Sequence, residues 1–317
     1  MKTRRDKTSK RDAAPKTLAE AGENRIVSEI TRGLPLGADV RVGVGDDCAV
    51  IGGARDARWQ LLKTDVVIEG VHFLPAEDPR RVGWKALSRA LSDIAAMGGV
   101  PSHALITLAA RPETEMEWVT GLYAGLKRAA RKFGAGIVGG ETSRSPGPIF
   151  LNVALTGWVE RQRCVLRSGG KPSDAVFVTG RLGGSIEAKH LDFTPRLAEA
   201  RWLTEHFKLR AMMDLSDGVA ADLPRLAAAS GCGFEIFAES IPCSRGCSVR
   251  QALSDGEDYE LLFTIAARDV PALEGAWRKR FPRLPLTRIG VLTPQTKSSA
   301  QPRIADSPHG HDHFPQR

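Results

Sequence analysis

The chain lacks any apolar run approaching the ~18 residues of a membrane-spanning helix, which excludes a helical membrane protein. It also lacks a disulfide framework. Its five cysteines, Cys48, Cys164, Cys232, Cys243 and Cys247, are odd in number and scattered, unlike those of a stapled secreted scaffold. Cys243 and Cys247 have no second His or Cys pair nearby, which speaks against zinc. No glycine loop ends in Gly-Lys-Ser/Thr, so the chain is not a P-loop enzyme. The glycine-rich and catalytic-loop set of protein kinases is missing as well. The pair Arg4-Arg5 is not followed by an apolar stretch, so it is no export signal. A soluble, cytoplasmic protein is expected, with no membrane partner.

A basic body surface is also lacking. The formal charge is +8 over 317 residues. Residues 1–16 carry seven Lys and Arg against two Asp, a net of +5, which leaves +3 for the other 301 residues. A nucleic-acid footprint would need its cations clustered on the folded domain, so no nucleic-acid partner is expected. Residues 1–22 are expected to be a disordered basic tail.

What is present is glycine, 32 residues of it, in short loops, which suggests backbone brought close to ligands. The length suffices for two domains with real cores. Strands and helices alternate without a strict repeat, which predicts α+β or α/β layers in both halves. A helix is expected at 23–30, strands at 40–51 and 59–68, and an amphipathic helix over 80–97 with Leu87, Ala90, Leu91, Ile94 and Ala95 on one face. Asp93 falls at the border of that face, ~60° from Ala90. A strand at 103–110, a helix at 113–133 ended by Gly134, and a strand at 149–159 complete the first half. The boundary is expected near 160–172, giving a domain at 23–160 and another at 161–317. In the second half, strands are expected at 174–179, 233–237, 259–266 and 287–292, with helices running to Ser230 and over 270–281. Ser216 or Asp217 is a possible N-cap of the first of these helices.

Aspartates stand at five places: Asp46-Asp47, Asp65, Asp93, Asp214 and Asp217. Most lie at a strand end or glycine turn among apolar residues, where a carboxylate is costly unless paired or metal-bound. Hard cations such as magnesium take oxygen ligands plus substrate phosphates, so this set fits several ions against a polyphosphate. Each place alone has an ordinary explanation. Asp46-Asp47 suits a turn, Asp65 and Asp93 suit ion pairs, for example to Lys63 and Arg89, and Asp214 and Asp217 suit a helix start. Two glycine loops carry donors, at 139–143 and 167–171, and exposed N–H groups with an Arg suit phosphates. The run Ser254-Asp255-Gly256-Glu257-Asp258-Tyr259-Glu260 is either a solvated turn or a pocket wall for a cationic substrate.

Eight segments together resemble the thiamine-monophosphate kinase family in order and spacing: GVGDDCAV (43–50), KTDVVIEGVHF (63–73), KALSRALSDIAAMG (85–98), VGGETSRSP (138–146), VLRSGGKPSD (165–174), MDLSDGVAADL (213–223), SDGEDYELLF (254–263) and HGHDHF (309–314). The resemblance implies a two-domain fold like that of aminoimidazole ribonucleotide synthetase, with a dimerising N-terminal domain and an ATP site formed largely between the acid-rich N-terminal segments of the dimer. It implies ATP plus thiamine monophosphate giving ADP and thiamine diphosphate, with several Mg2+ ions. By position, Asp47, Thr64, Asp65, Asp93, Asp214 and Asp217 match magnesium ligands. Lys63 and Glu141 occupy two further metal positions, where a hydroxyl residue and Asp are usual. Gly140, Glu141, Arg167 and Ser216 match ATP contacts, and His72 and Glu257 match substrate contacts. Asp65, Asp93 and Arg167 are the expected catalytic set. Asp255 and His311 also depart from the family's usual Gly and Tyr.

The expected chemistry follows from charge. The acceptor phosphate, with a second pKa near ~6, is already ionised, so transfer needs no general base. Alignment and neutralisation of two anions do the work. Another ATP-dependent enzyme of the superfamily and a non-catalytic nucleotide-binding protein are the alternatives; retained metal ligands favour an enzyme.

Overall fold

The computed structural model describes residues 17–187 and 189–295. Residues 1–16 and the segment containing His311 lie outside the described residues. Residues 17–35 belong to a separate unit with two short helices, α1 (Leu18–Ala21) and α2 (Glu23–Ile30). Thr17 and Glu20 cap α1 reciprocally in a capping box.

From Leu36 onward two sheets organise the chain. The first has six strands in the order β1-β2-β3-β6-β4-β5: β1 (Val40–Val42), β2 (Ala49–Ile51), β3 (Arg58–Ile68), β4 (Val100–Ala110), β5 (Gly136–Arg144) and β6 (Phe150–Glu160). The strand expected at 40–51 is in fact two, broken by the turn that carries Asp46 and Asp47. Burial alternates residue by residue along β6, the mark of a sheet covered on one face. On the covered face Asp65, Val153 and Ile106 are register neighbours. On the open face Val66, Asn152, Thr107 and Glu141 are neighbours in turn.

Two helices, α3 (Pro79–Ala96) and α4 (Met116–Phe133), pack together beside this sheet. Their close approach requires glycine at the contact. A Cβ on Gly83 would meet the Leu122 carbonyl at 2.0 Å, and one on Gly125 the Arg80 carbonyl at 1.9 Å. α3 is buried on nearly every side, because it also touches the second half of the chain. Its polar residues Lys85, Ser88, Ser92 and Asp93 therefore sit inside the protein.

The second sheet is antiparallel, in the order β8-β10-β7-β11-β9: β7 (Ala175–Thr179), β8 (Leu209–Asp214), β9 (Cys232–Ile236), β10 (Leu261–Ile265) and β11 (Leu286–Pro294). β7 and β10 are buried at every residue, which matches their unbroken apolar sequences. One face, with Phe177 stacked on Phe263 at 5.7 Å, joins the core that contains α3. The other packs with α6 (Val219–Ala229) in a second core. Helices α5 (Leu197–His206), α7 (Val249–Ser254) and α8 (Val270–Arg280) complete the α-helices of the described residues. The N-cap of α6 is Gly218, without a side-chain cap. Neither Ser216 nor Asp217 plays that part, because the helix begins two residues later than a Ser216 cap requires and one later than an Asp217 cap requires.

Candidate active site

Three carboxylates from distant parts of the chain converge. Asp47 comes from the turn before β2, Asp93 from the last turn of α3, and Asp214 from the end of β8. Each offers an oxygen within 4.8 Å of the others, and all three residues are buried. Fixed elements bring them together. Asp214 pairs in register with Leu261 of β10, and Ser92, one residue before Asp93, donates to Asp214 Oδ2 at 2.6 Å. Asp47 Oδ2 is buried without a hydrogen-bond partner among the described residues. An unpaired buried carboxylate oxygen beside two more carboxylates is the donor set a hard divalent cation requires, so the residues fit magnesium.

Fixed cations surround the cluster. Lys63 and Asp65 lie two apart on β3, on its buried face. Lys63 Nζ is 2.9 Å from Asp93 Oδ1, and Arg89 Nη2 is 3.3 Å from Asp65 Oδ1. Both acids are thus ion-paired, as their ordinary explanation requires, but with the partners exchanged: Lys63 meets Asp93 and Arg89 meets Asp65, beside the three-carboxylate group. Arg167, in the connection between the sheets, donates from Nη2 to Asp47 Oδ1 at 2.6 Å. Its backbone N–H reaches both oxygens of Asp46, at 3.2 and 3.1 Å.

Charge crowding shows in the acidities. Burial, and then the neighbouring Asp47, lift Asp46 to about 6. Burial and Asp47 lift Asp214 to about 7, against the Ser92 hydrogen bond and the charges of Lys63 and Arg167. Asp93 is pushed up by burial and by Asp214, with Lys63 opposing. Burial works against the Lys63 ammonium, but Asp93 and Asp65 outweigh it and hold the proton more firmly than usual. The sign for stability is clear. A carboxyl whose folded pKa is raised binds its proton better in the native state, so the metal-free protein loses stability as pH rises from 3.8 towards about 7. Asp214→Asn keeps the Ser92 hydrogen bond and cannot ionise. With a chelator present, it is expected to melt about 3 °C or more above the parent at pH 8 and within about 1 °C of it at pH 5. Scanning fluorimetry checks this, and a lower melting point at pH 8 would refute it.

A second polar group adjoins the first. Glu257 lies in the loop before β10 at φ +55°, and Tyr259 at φ +50°, a region costly for side-chain-bearing residues and frequent at ligand sites. Lys85, fully buried on α3, donates to Glu257 and to the His72 carbonyl, the latter at 2.7 Å. His190 Nδ1 is 3.0 Å from Lys85 Nζ and 3.4 Å from Glu257 Oε2. Burial alone would raise Glu257, but the His190 hydrogen bond and the charges of Lys85 and Arg89 pull it down to about 2. Arg89 links the two groups, with Nη1 4.0 Å from Glu257 Oε1. Its Nε and Nη1 are buried without hydrogen-bond partners among the described residues.

The structure thus brings together Asp47, Lys63, Asp65, Asp93, Arg167 and Asp214, and places His72 and Glu257 around Lys85. Other expected residues stand apart. Thr64 points to the opposite face of β3 and donates to Asn152 Oδ1 at 2.8 Å. Glu141, beside Gly140 on the edge strand β5, shares that open face. The Asp217 carboxylate accepts from Arg225, and the Ser216 carbonyl accepts from Glu257 N–H at 2.6 Å. Lys85, Arg89 and His190 were not among the expected ligand and contact residues. For Lys85 and Arg89, the signal available was a cation one and two turns before Asp93 on the same helix.

Comparison with known proteins bears on this geometry. Residues 45–159 match the family model of the AIR synthase related protein N-terminal domain, and residues 171–301 that of its C-terminal domain. A thiamine-monophosphate kinase of Rhodopirellula baltica is 38% identical, over 84% of this chain and 87% of its own. The Escherichia coli K12 protein of that name is 32% identical, over 87% and 93%. A solved structure of AaThiL complexed with AMPPCP and TMP is 33% identical with a TM-score of 0.78, covering 95% of this chain and 100% of that one.

Proposed function

The chain belongs to the thiamine-monophosphate kinase family, and from that premise we propose that it transfers the terminal phosphoryl group of ATP to thiamine monophosphate, giving thiamine diphosphate and ADP. The observation that carries the proposal is the buried convergence of Asp47, Asp93 and Asp214, with a second polar group of Glu257, Lys85 and His190 linked to it through Arg89. Asp47 and Asp214, with Asp93 and Asp65 alongside, would hold magnesium. When bound, magnesium supplies the positive charge that lets two phosphate anions approach. Arg167 adds a fixed cation at Asp47 and would meet nucleotide phosphate there. Glu257, ionised throughout the physiological range, faces the cationic thiazolium. Since the acceptor is already an anion, the chain needs no proton acceptor and its residues serve to align and neutralise. Incubation with ATP, Mg2+ and thiamine monophosphate should yield thiamine diphosphate by mass spectrometry. Absence of product from a folded protein would overturn the proposal.

The reading includes a homodimer. Thr64 and Glu141 lie on the open face of the first sheet, away from the buried cluster, so they gain a role only if that face is covered. Beside Thr64 it forms a groove of about 580 Å³ lined by Leu62, Leu105, Val138, Ala154 and Thr156. Leu105 is 49% exposed and Val138 61%, a cost that a second copy would remove. Sedimentation should give twice the chain mass, and Leu105→Glu the mass of a monomer; a monomeric parent would exclude the arrangement. No helix among the described residues is long and apolar enough to cross a membrane, and five free cysteines suit the cytoplasm, which cell fractionation would test.

A further inference from the structure

Lys63 is out of keeping with a pure metal cage. It sits mid-strand on β3, held opposite Leu155 in an unbroken register with β6 that runs from Arg58 to Ile68. Its backbone therefore has little freedom to carry the ammonium elsewhere. Nζ lies 2.9 Å from Asp93 Oδ1, and Asp93 is one corner of the three-carboxylate group. That oxygen cannot easily serve a divalent ion as well, because an ion bound there would stand at about 2 Å from it, close to the ammonium and repelled by it. Fully ionised, Asp46, Asp47, Asp65, Asp93 and Asp214 carry five negative charges. The cations touching them are Lys63, Arg89 and Arg167, so the surplus is two. Asp47 Oδ2, by contrast, has no partner among the described residues.

We propose that Lys63 is a tethered cation standing in for one divalent ion at Asp93, which confines metal to the Asp47 and Asp214 side of the cluster. This rests on reading the cluster as the nucleotide-linked metal site. Lys63 acts there as a positioning residue: its charge sets how many ions the site takes and where they sit.

The test counts metal directly. Mn2+ is titrated into the protein with a non-hydrolysable ATP analogue, and free Mn2+ is followed by electron paramagnetic resonance. Lys63→Ser should bind one more ion per chain than the parent, whereas Lys63→Arg should bind the same number. Equal or lower stoichiometry in Lys63→Ser overturns the proposal. Should that variant fail to fold, anomalous scattering from Mn2+ in crystals of the parent decides. An ion beside Asp47 and Asp214, with none on Asp93 Oδ1, supports the proposal; an ion coordinated by Asp93 Oδ1 refutes it. A parent that binds no Mn2+ even with nucleotide removes the metal-site reading and this inference with it. A parent that binds Mn2+ but does not phosphorylate thiamine monophosphate removes only the assigned reaction.

Discussion

Asp47→Asn is expected to lower phosphoryl transfer by about 10³-fold or more, equivalent to about 4 kcal/mol of transition-state stabilisation. Asn is nearly isosteric and keeps an oxygen for the Arg167 hydrogen bond that Asp47 Oδ1 now accepts at 2.6 Å. What it loses is the charge, and the second oxygen, Oδ2, which is buried and without a hydrogen-bond partner among the described residues. Such an oxygen contributes nothing to folding, and alone it is costly, so its place in the site is explained by a ligand. With it gone, the variant should need a much higher magnesium concentration for half-maximal rate, and saturating magnesium should restore only part of kcat. The fold should be unaffected, because the turn around Asp47 keeps the Asp46 contacts to the Arg167 N–H at 3.2 and 3.1 Å. Steady-state kinetics across a magnesium series, beside circular dichroism, checks both halves. A kcat within tenfold of the parent at ordinary magnesium would remove Asp47 from the mechanism.

The sequence made some of this legible and hid the rest for physical reasons. Helix α3 was readable from its 3.6-residue periodicity, and its observed span, Pro79–Ala96, lies within one residue of the expected bounds. Its amphipathic pattern suggested a wet face, but the second half of the chain covers that face, so its polar residues are buried instead. Asp93 was legible as a candidate because an acid among Leu91, Ile94 and Ala95 needs a reason. Arg89 was legible only as an ion-pair partner, and Lys85 not at all, since a cation on a helix is ordinary until its partner is known. The partner of Lys85, Glu257, is 172 residues away in the chain, beyond any local pattern. Helix α5 went unread because its packing on α3, not its own sequence pattern, decides its existence. The stretch 40–51 was read as one strand although Asp46-Asp47 suited a turn, because β1 and β2 are three residues each, too short for alternation to reveal the break.

Free thiamine should be turned over at least ~10²-fold more slowly than thiamine monophosphate, a difference of about 3 kcal/mol. The two acceptors share the thiazolium and the aminopyrimidine, so Glu257 meets both alike. They differ in the nucleophile. The monophosphate brings an oxygen already ionised at neutral pH, whereas the alcohol of thiamine must lose a proton. The groups on hand are poor takers of that proton. Glu257 is held down to about 2, chiefly by His190, Lys85 and Arg89 against its burial, which makes it a very weak base. His72 Nδ1 already accepts from the Ile68 N–H at 3.0 Å, and His190 Nδ1 lies 3.0 Å from the Lys85 ammonium. Asp93 Oδ1 is engaged by Lys63. The acceptor phosphate, on the proposed reading, would instead meet Arg89, which lies between Asp65 and Glu257 with Nε and Nη1 unmatched by any acceptor among the described residues. Charge-assisted hydrogen bonds of that kind contribute roughly 1.5–3 kcal/mol each, so one or two account for the expected gap. Parallel reactions with each acceptor, quantified by liquid chromatography and mass spectrometry, measure it. Thiamine monophosphate formed from thiamine at a rate comparable to thiamine diphosphate from the monophosphate would show that a proton acceptor operates in this site after all.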